Sequence, residues 1–219
     1  MAIKLNDSNY LILKCKNPTS VVFLFHGYGS DGYDLISIGK IWQQSHPNTI
    51  FIFPHGFYSC DDHIIGRQWF SLKDYSSRNQ TFNSRQILNS IFCINDYIDD
   101  ILNYYNIDSS KLVLTGFSQG SILALRAALG RKDLVGGVMS YSGSFVTERN
   151  FKPVSFPPIA LFHGESDEII PYKMLKNSEE YLKLINMDVE VYSYASLGHA
   201  ISEEGVKDGS DFLQRVFSR

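Results

Sequence analysis

A serine hydroxyl is a weak nucleophile until a base takes its proton, and one serine of this chain stands in a context suited to that chemistry. Ser118 is the centre of Gly116-Phe117-Ser118-Gln119-Gly120. Gly-x-Ser-x-Gly forms a tight strand-to-helix turn that lifts the serine side chain clear of a sheet. Glycine is needed two residues to either side because a Cβ there would collide with the neighbouring strand or helix. A helix N-terminus behind the serine also favours the negative charge that develops during attack.

A base and an acid must then follow, because the chain order in this arrangement is serine, carboxylate, histidine. Only His163 and His199 lie beyond Ser118. His163 sits at the end of an apolar run in Phe162-His163-Gly164, where a core or loop-entry role is expected. His199, in Leu197-Gly198-His199-Ala200, falls between a strand and the last helix and is read as the general base. The intervening loop offers three acids, Glu165, Asp167 and Glu168. Asp167 is the choice, since the apolar Ile169-Ile170-Pro171 that follows would anchor it. Acyl transfer also needs donors for a tetrahedral oxyanion. The backbone N–H of Gln119 is one, and the N–H of Tyr28, in Phe25-His26-Gly27-Tyr28-Gly29-Ser30-Asp31-Gly32, is the other.

Strands and helices must position these groups. Short apolar runs at residues 21–25, 49–53, 111–115, 137–140, 159–162 and 189–194 read as strands of a mostly parallel sheet. Between them, Ile87, Ile91, Ile94, Ile98, Ile101 and Tyr105 recur at helical steps over residues 86–105. Residues 121–129 form a short Ala-rich helix closed by Gly130, a candidate C′ glycine. Residues 172–185, with Leu175, Ser178, Tyr181, Leu182 and Ile185 on one side, and residues 203–217 complete the helices. The fold class expected is α/β, an open sheet with helices on both faces, in a single domain spanning residues 1–219. Residues 55–85 show no clear helix or long strand, and connections of this length are usually functional or mobile.

The combined blocks resemble the phospholipase/carboxylesterase family of α/β hydrolases, which includes the acyl-protein thioesterases. The matching segments are His26-Gly27-Tyr28-Gly29, Gln68-Trp69-Phe70-Ser71, the elbow around Ser118, His163-Gly164-Glu165-Ser166-Asp167 and Gly198-His199. They cover the chain from about residue 21 to 213. The resemblance implies an α/β-hydrolase fold without a large cap domain and an esterase acting without metal or organic cofactor. Its substrates would be small-molecule or lipid esters, with lysophospholipids and acylated proteins as the long-chain alternative. It implies Ser118, Asp167 and His199 as the triad, Tyr28 and Gln119 as the oxyanion hole, and Trp69 and Phe70 at the border of the acyl pocket. Two positions depart from the thioesterase members: Ser71 stands where they commonly have Asp, and Ser121 replaces a second glycine after the elbow.

Composition narrows the remaining classes. The chain has 20 basic and 23 acidic residues and a formal charge of −3, which gives no basic footprint for nucleic acid. Its three cysteines, Cys15, Cys60 and Cys93, form no CxxC pair, so a reducing cytoplasm is expected. Residues 1–20 show no leader-like apolar stretch, and no run reaches the length of a transmembrane helix. A noncatalytic binding protein on the same fold is the rival from another class, and it would normally have lost a triad member. Oligomeric state is not legible in the sequence.

Overall fold

The computed structural model describes residues 9–73, 84–146 and 151–219. Its centre is a seven-stranded sheet. The strands are β1 (Tyr10–Leu13), β2 (Ser20–Phe25), β3 (Thr49–Pro54), β6 (Leu112–Phe117), β7 (Gly137–Tyr141), β8 (Ile159–Gly164) and β9 (Val189–Tyr194). A separate two-stranded hairpin pairs β4 (Tyr58–Ser59) with β5 (Arg67–Gln68). The helices are α1 (Ile36–Ser45), α2 (Ser84–Tyr105), α3 (Gln119–Gly130), α4 (Tyr172–Leu184) and α5 (Glu203–Phe217).

In space the sheet runs β1-β3-β2-β6-β7-β8-β9, parallel except for the antiparallel edge strand β1. From β2 the chain winds outward through β3 on one side, and from β6 it winds through β7, β8 and β9 on the other. The reversal falls between the adjacent strands β2 and β6, where Phe25 pairs with Gly116. Crevices at the carboxyl ends of strands beside such a reversal are where ligands bind in open α/β sheets.

Alternate residues of the central strands feed two separate cores. Val21, Phe23, Phe25, Ile50 and Ile52 face α2, α3 and α4, whose Ile94, Ile98, Leu123, Ala127 and Leu182 are buried against them. Val22, Leu24, Phe51, Phe53 and Val113 face the opposite way, onto Trp42 of α1 and Phe212, Leu213 and Val216 of α5. A strand covered by helices on both faces must be apolar at every position, which is why β2 and β3 read as continuous apolar runs. The edge strand β9 is only half-buried and tolerates Glu190 and Ser193.

One expected helix end shifts. Gly130 is the last residue of α3 rather than the residue beyond it, and Arg131 caps the helix in extended conformation. Left-handed caps occur instead at Asn106 (φ 53°) and Asn186 (φ 62°), just beyond α2 and α4. There the N–H groups of Ile107 and Met187 reach back to the carbonyls of Leu102 and Leu182. The stretch at residues 55–85 contains the β4–β5 hairpin and the start of α2, with residues 74–83 outside the described residues. Residues 1–8 of the leader-free reading also lie outside them. Among the described residues no helix is long and apolar enough to cross a membrane.

Candidate active site

The turn between β6 and α3 sets Ser118 at φ 52° and ψ −116°, a conformation that L-residues rarely adopt. It persists because its surroundings fix it from several sides. The Ser118 N–H donates to the Tyr141 carbonyl of β7 at 2.9 Å, and its own carbonyl accepts from Ser121 N at 3.0 Å and Ser121 Oγ at 2.7 Å. The elbow glycines are sterically compelled. A Cβ on Gly116 would lie 2.3 Å from the Gly120 backbone, and one on Gly120 would lie 2.1 Å from the Phe25 carbonyl oxygen. Ser121, the departure noted above, fills the space beside Gly143, where a Cβ would meet its Oγ.

Asp167 lies in the turn after β8 and is 5% exposed, whereas Glu165 and Glu168 are exposed. One carboxylate oxygen, Oδ1, accepts from the N–H groups of Ile169 at 2.9 Å and Ile170 at 2.8 Å. The other, Oδ2, is 2.8 Å from His199 Nδ1. Against an ionised carboxylate this nitrogen carries the proton, which leaves Nε2 with a lone pair. His199 is held by the loop after β9, and its ring lies 4.8 Å from that of Phe117. The acid and histidine loops are stitched together, with Ser166 N donating to the Leu197 carbonyl at 3.0 Å and Ser166 Oγ to the Ala195 carbonyl at 3.0 Å. Gly164 permits this approach, because a Cβ there would lie 2.1 Å from the Leu197 oxygen. Ser118 and His199 both line one cleft of about 600 Å³.

The loop that holds Gly27 and Tyr28 follows β2. A Cβ on Gly27 would lie 3.6 Å from the Ser118 Cβ, so this backbone passes directly beside the serine. Gly27, Tyr28 and Gln119 line the same cleft. His26 fixes the start of the loop: its Nδ1 donates to the Gly27 carbonyl at 2.7 Å while its Nε2 accepts from Gly56 N at 2.9 Å. Burial pushes the His26 pKa down to about 4, despite the Gly27 hydrogen bond that acts the other way, and the ring is neutral at pH 7.

Trp69 and Phe70, expected beside the acyl pocket, are 0% exposed and belong to the core. Trp69 packs edge-on to Phe25 and donates its indole N–H to the His26 carbonyl at 2.9 Å. The apolar wall of the cleft is built instead from Leu72, Ile122, Val146, Ile169, Pro171 and Met174. The sequence does not single these out as a wall, since they come from four separate segments. It also missed the side chain of Gln119, which accepts from Trp69 N at 2.8 Å and donates to the Phe70 carbonyl at 2.8 Å. The pairing of an elbow glutamine with an aromatic block was the available signal. Ser71, two residues on, donates to Asp61 Oδ2 at 2.5 Å and holds the inner end of the hairpin loop; that bond also lowers the Asp61 pKa.

An exposed-edge histidine with a free Nε2, a buried carboxylate behind it and a serine on a strained elbow can together perform acyl transfer. Comparison with known proteins agrees with that chemistry. The chain is 27% identical over 213 residues to acyl-protein thioesterase 1 of Gibberella zeae, covering 90% of each. It is 28% identical over 226 residues to acyl-protein thioesterase 1 of Emericella nidulans, covering 94% of each. Among solved structures, esterase PE8 matches with a TM-score of 0.88 at 26% identity, over 95% of this chain and 98% of that one. The family described as phospholipase/carboxylesterase matches residues 6–217, so this α/β-hydrolase chain belongs to it.

Proposed function

We propose that the protein is a serine carboxylic-ester hydrolase with Ser118 as nucleophile, His199 as general base and Asp167 as the group that orients the imidazole. The observation that carries this reading is the 2.8 Å contact between Asp167 Oδ2 and His199 Nδ1, at the edge of the cleft that also contains Ser118. In the proposed cycle, His199 Nε2 takes the Ser118 proton while Oγ bonds to the ester carbonyl carbon. The N–H groups of Tyr28 and Gln119 receive the oxyanion. Collapse of the intermediate breaks the bond to the alcohol, which leaves with the proton from His199. Water then repeats the sequence on the acyl-enzyme and releases the acid. Every group in the cycle belongs to this chain.

The substrate reading is a carboxylic ester, with lipid esters and acylated proteins as the longer-chain class. The aliphatic wall of Leu72, Ile122, Val146, Ile169 and Met174 supports an apolar acyl group, and the acyl-protein thioesterase relatives favour one carried by a protein. The proposed setting is a reducing cytoplasm, in keeping with three unpaired cysteines. Hydrolysis of p-nitrophenyl esters from acetyl to palmitoyl, with Ser118→Ala alongside, is the direct test. Ser118-dependent activity on short chains supports the carboxylesterase reading. A maximum at long chains assigns the lipid or acyl-protein class instead. Failure of folded protein to react with a fluorophosphonate overturns the enzyme reading and favours a binding protein.

A further inference from the structure

The triad accounts for one histidine of the two that face Asp167. His163, in β8, is 1% exposed, and its Nε2 lies 3.3 Å from Asp167 Oδ2, the oxygen that His199 also contacts. The same Nε2 is 2.8 Å from the Ile170 carbonyl oxygen. A carbonyl can only accept, so Nε2 carries the proton. The opposite nitrogen, Nδ1, is buried and has no partner among the described residues. Protonating it would create an unsatisfied cationic donor in the interior, so the geometry itself disfavours the imidazolium. Burial lowers the pKa of this ring, against the opposing pull of the Ile170 carbonyl and Asp167. The titratable groups that face it are Asp167 in the turn after its own strand, His199 on the loop after β9, and Tyr172 at the start of α4.

We propose that His163 is a positioning residue for the triad, whose Nε2–H braces the Ile170 carbonyl and so fixes the turn that holds Asp167. The brace closes the turn whose own N–H groups, from Ile169 and Ile170, hold Oδ1, so the carboxylate keeps the orientation in which Oδ2 meets His199 Nδ1. His163 is not among the cleft-lining residues, so it acts on turnover and not on substrate binding.

This inference rests on the triad reading, and the experiment separates the two. The constants kcat and KM would be measured separately for the wild type, His163→Phe and His163→Gln, with Ser118→Ala as the control. Phe fills the space without a donor, and Gln can return an N–H to the position of Nε2. In His163→Phe, kcat falls on the order of tenfold with KM unchanged. His163→Gln restores most of that loss. An unchanged kcat in His163→Phe, a loss carried by KM instead, or a Gln variant no better than Phe overturns the proposal while leaving the triad standing. Persistent activity in Ser118→Ala would instead remove the triad itself. Histidine 15N spectra of the wild type give a second readout that needs no variant to fold. A neutral Nε2–H tautomer for His163 is expected between about pH 7 and 8, and an Nδ1–H tautomer there refutes the assignment.

Discussion

At the scale of single residues, the site depends on positions where one heavy atom more or less decides the outcome. Ser118→Ala is expected to lower kcat on the order of a million-fold while leaving the fold intact, checked by single-turnover assay and thermal melting. Asp167→Asn leaves the loop in place but lets the amide compete for the wrong imidazole tautomer, and a loss of roughly ten-thousand-fold is expected. Gly120→Ala tests something different. Its Cβ would lie 2.1 Å from the Phe25 carbonyl, so the elbow must separate from β2. The expected result is a loss of at least about 3 kcal/mol of stability, with soluble yield and urea midpoint as readouts. Glycine, serine and the order of acid and histidine were legible because each has a steric or chemical reason that acts locally. The roles of His163 and the Gln119 side chain were not, since both depend on partners brought together only by the fold: Ile170 folds back on His163 through a turn, and Trp69 lies 50 residues from Gln119.

At the scale of elements, the segment from Gln68 to Leu72 behaves as a strap pinned to the elbow. Gln119 grips the backbone at Trp69 and Phe70, Ser90 of α2 donates to the Trp69 carbonyl at 2.6 Å, and Gln86 of the same helix accepts from Ser71 N at 2.6 Å. Leu72 emerges from the end of this strap into the cleft. Gln119→Leu keeps the backbone N–H but removes the grip. It is therefore expected to raise KM for long-chain esters several-fold more than for acetyl esters, as a chain-length series would detect. The same logic explains which elements the sequence disclosed. α2 and α5 carry long apolar stripes, and β2, β3 and β6 are buried almost throughout and mostly apolar because helices cover both faces. α1 buries only Gly39 and Trp42, and β1 is a four-residue edge strand with a single buried residue, so neither leaves a periodic signature. The β4–β5 hairpin has two residues per strand, too few for alternation to register.

At the scale of the whole molecule, buried neutral histidines tie stability to pH. His26, with a pKa of about 4 against 6.5 when unfolded, binds its proton more weakly in the native state. The stability it contributes is fully present above about pH 6.5 and is lost as pH falls towards 4, on the order of 3 kcal/mol in all. His46 and His163 are lowered by burial as well and act in the same direction. Urea midpoints taken from pH 7 down to about 5.5, above the range where ordinary carboxylates titrate, should therefore fall steadily, and a flat profile would contradict the neutral burial of these rings. The reversal of winding between β2 and β6 has a consequence for how such a protein can change over generations. Everything proposed to break and make bonds comes from the chain after β6, apart from one backbone amide, and so do Ile122, Val146, Ile169, Pro171 and Met174 of the cleft wall, while the strap before α2 adds Leu72. Reactivity and most of the selectivity are thus written in one stretch of the gene, so a crossover ahead of β6 passes both on together and leaves only the strap to vary.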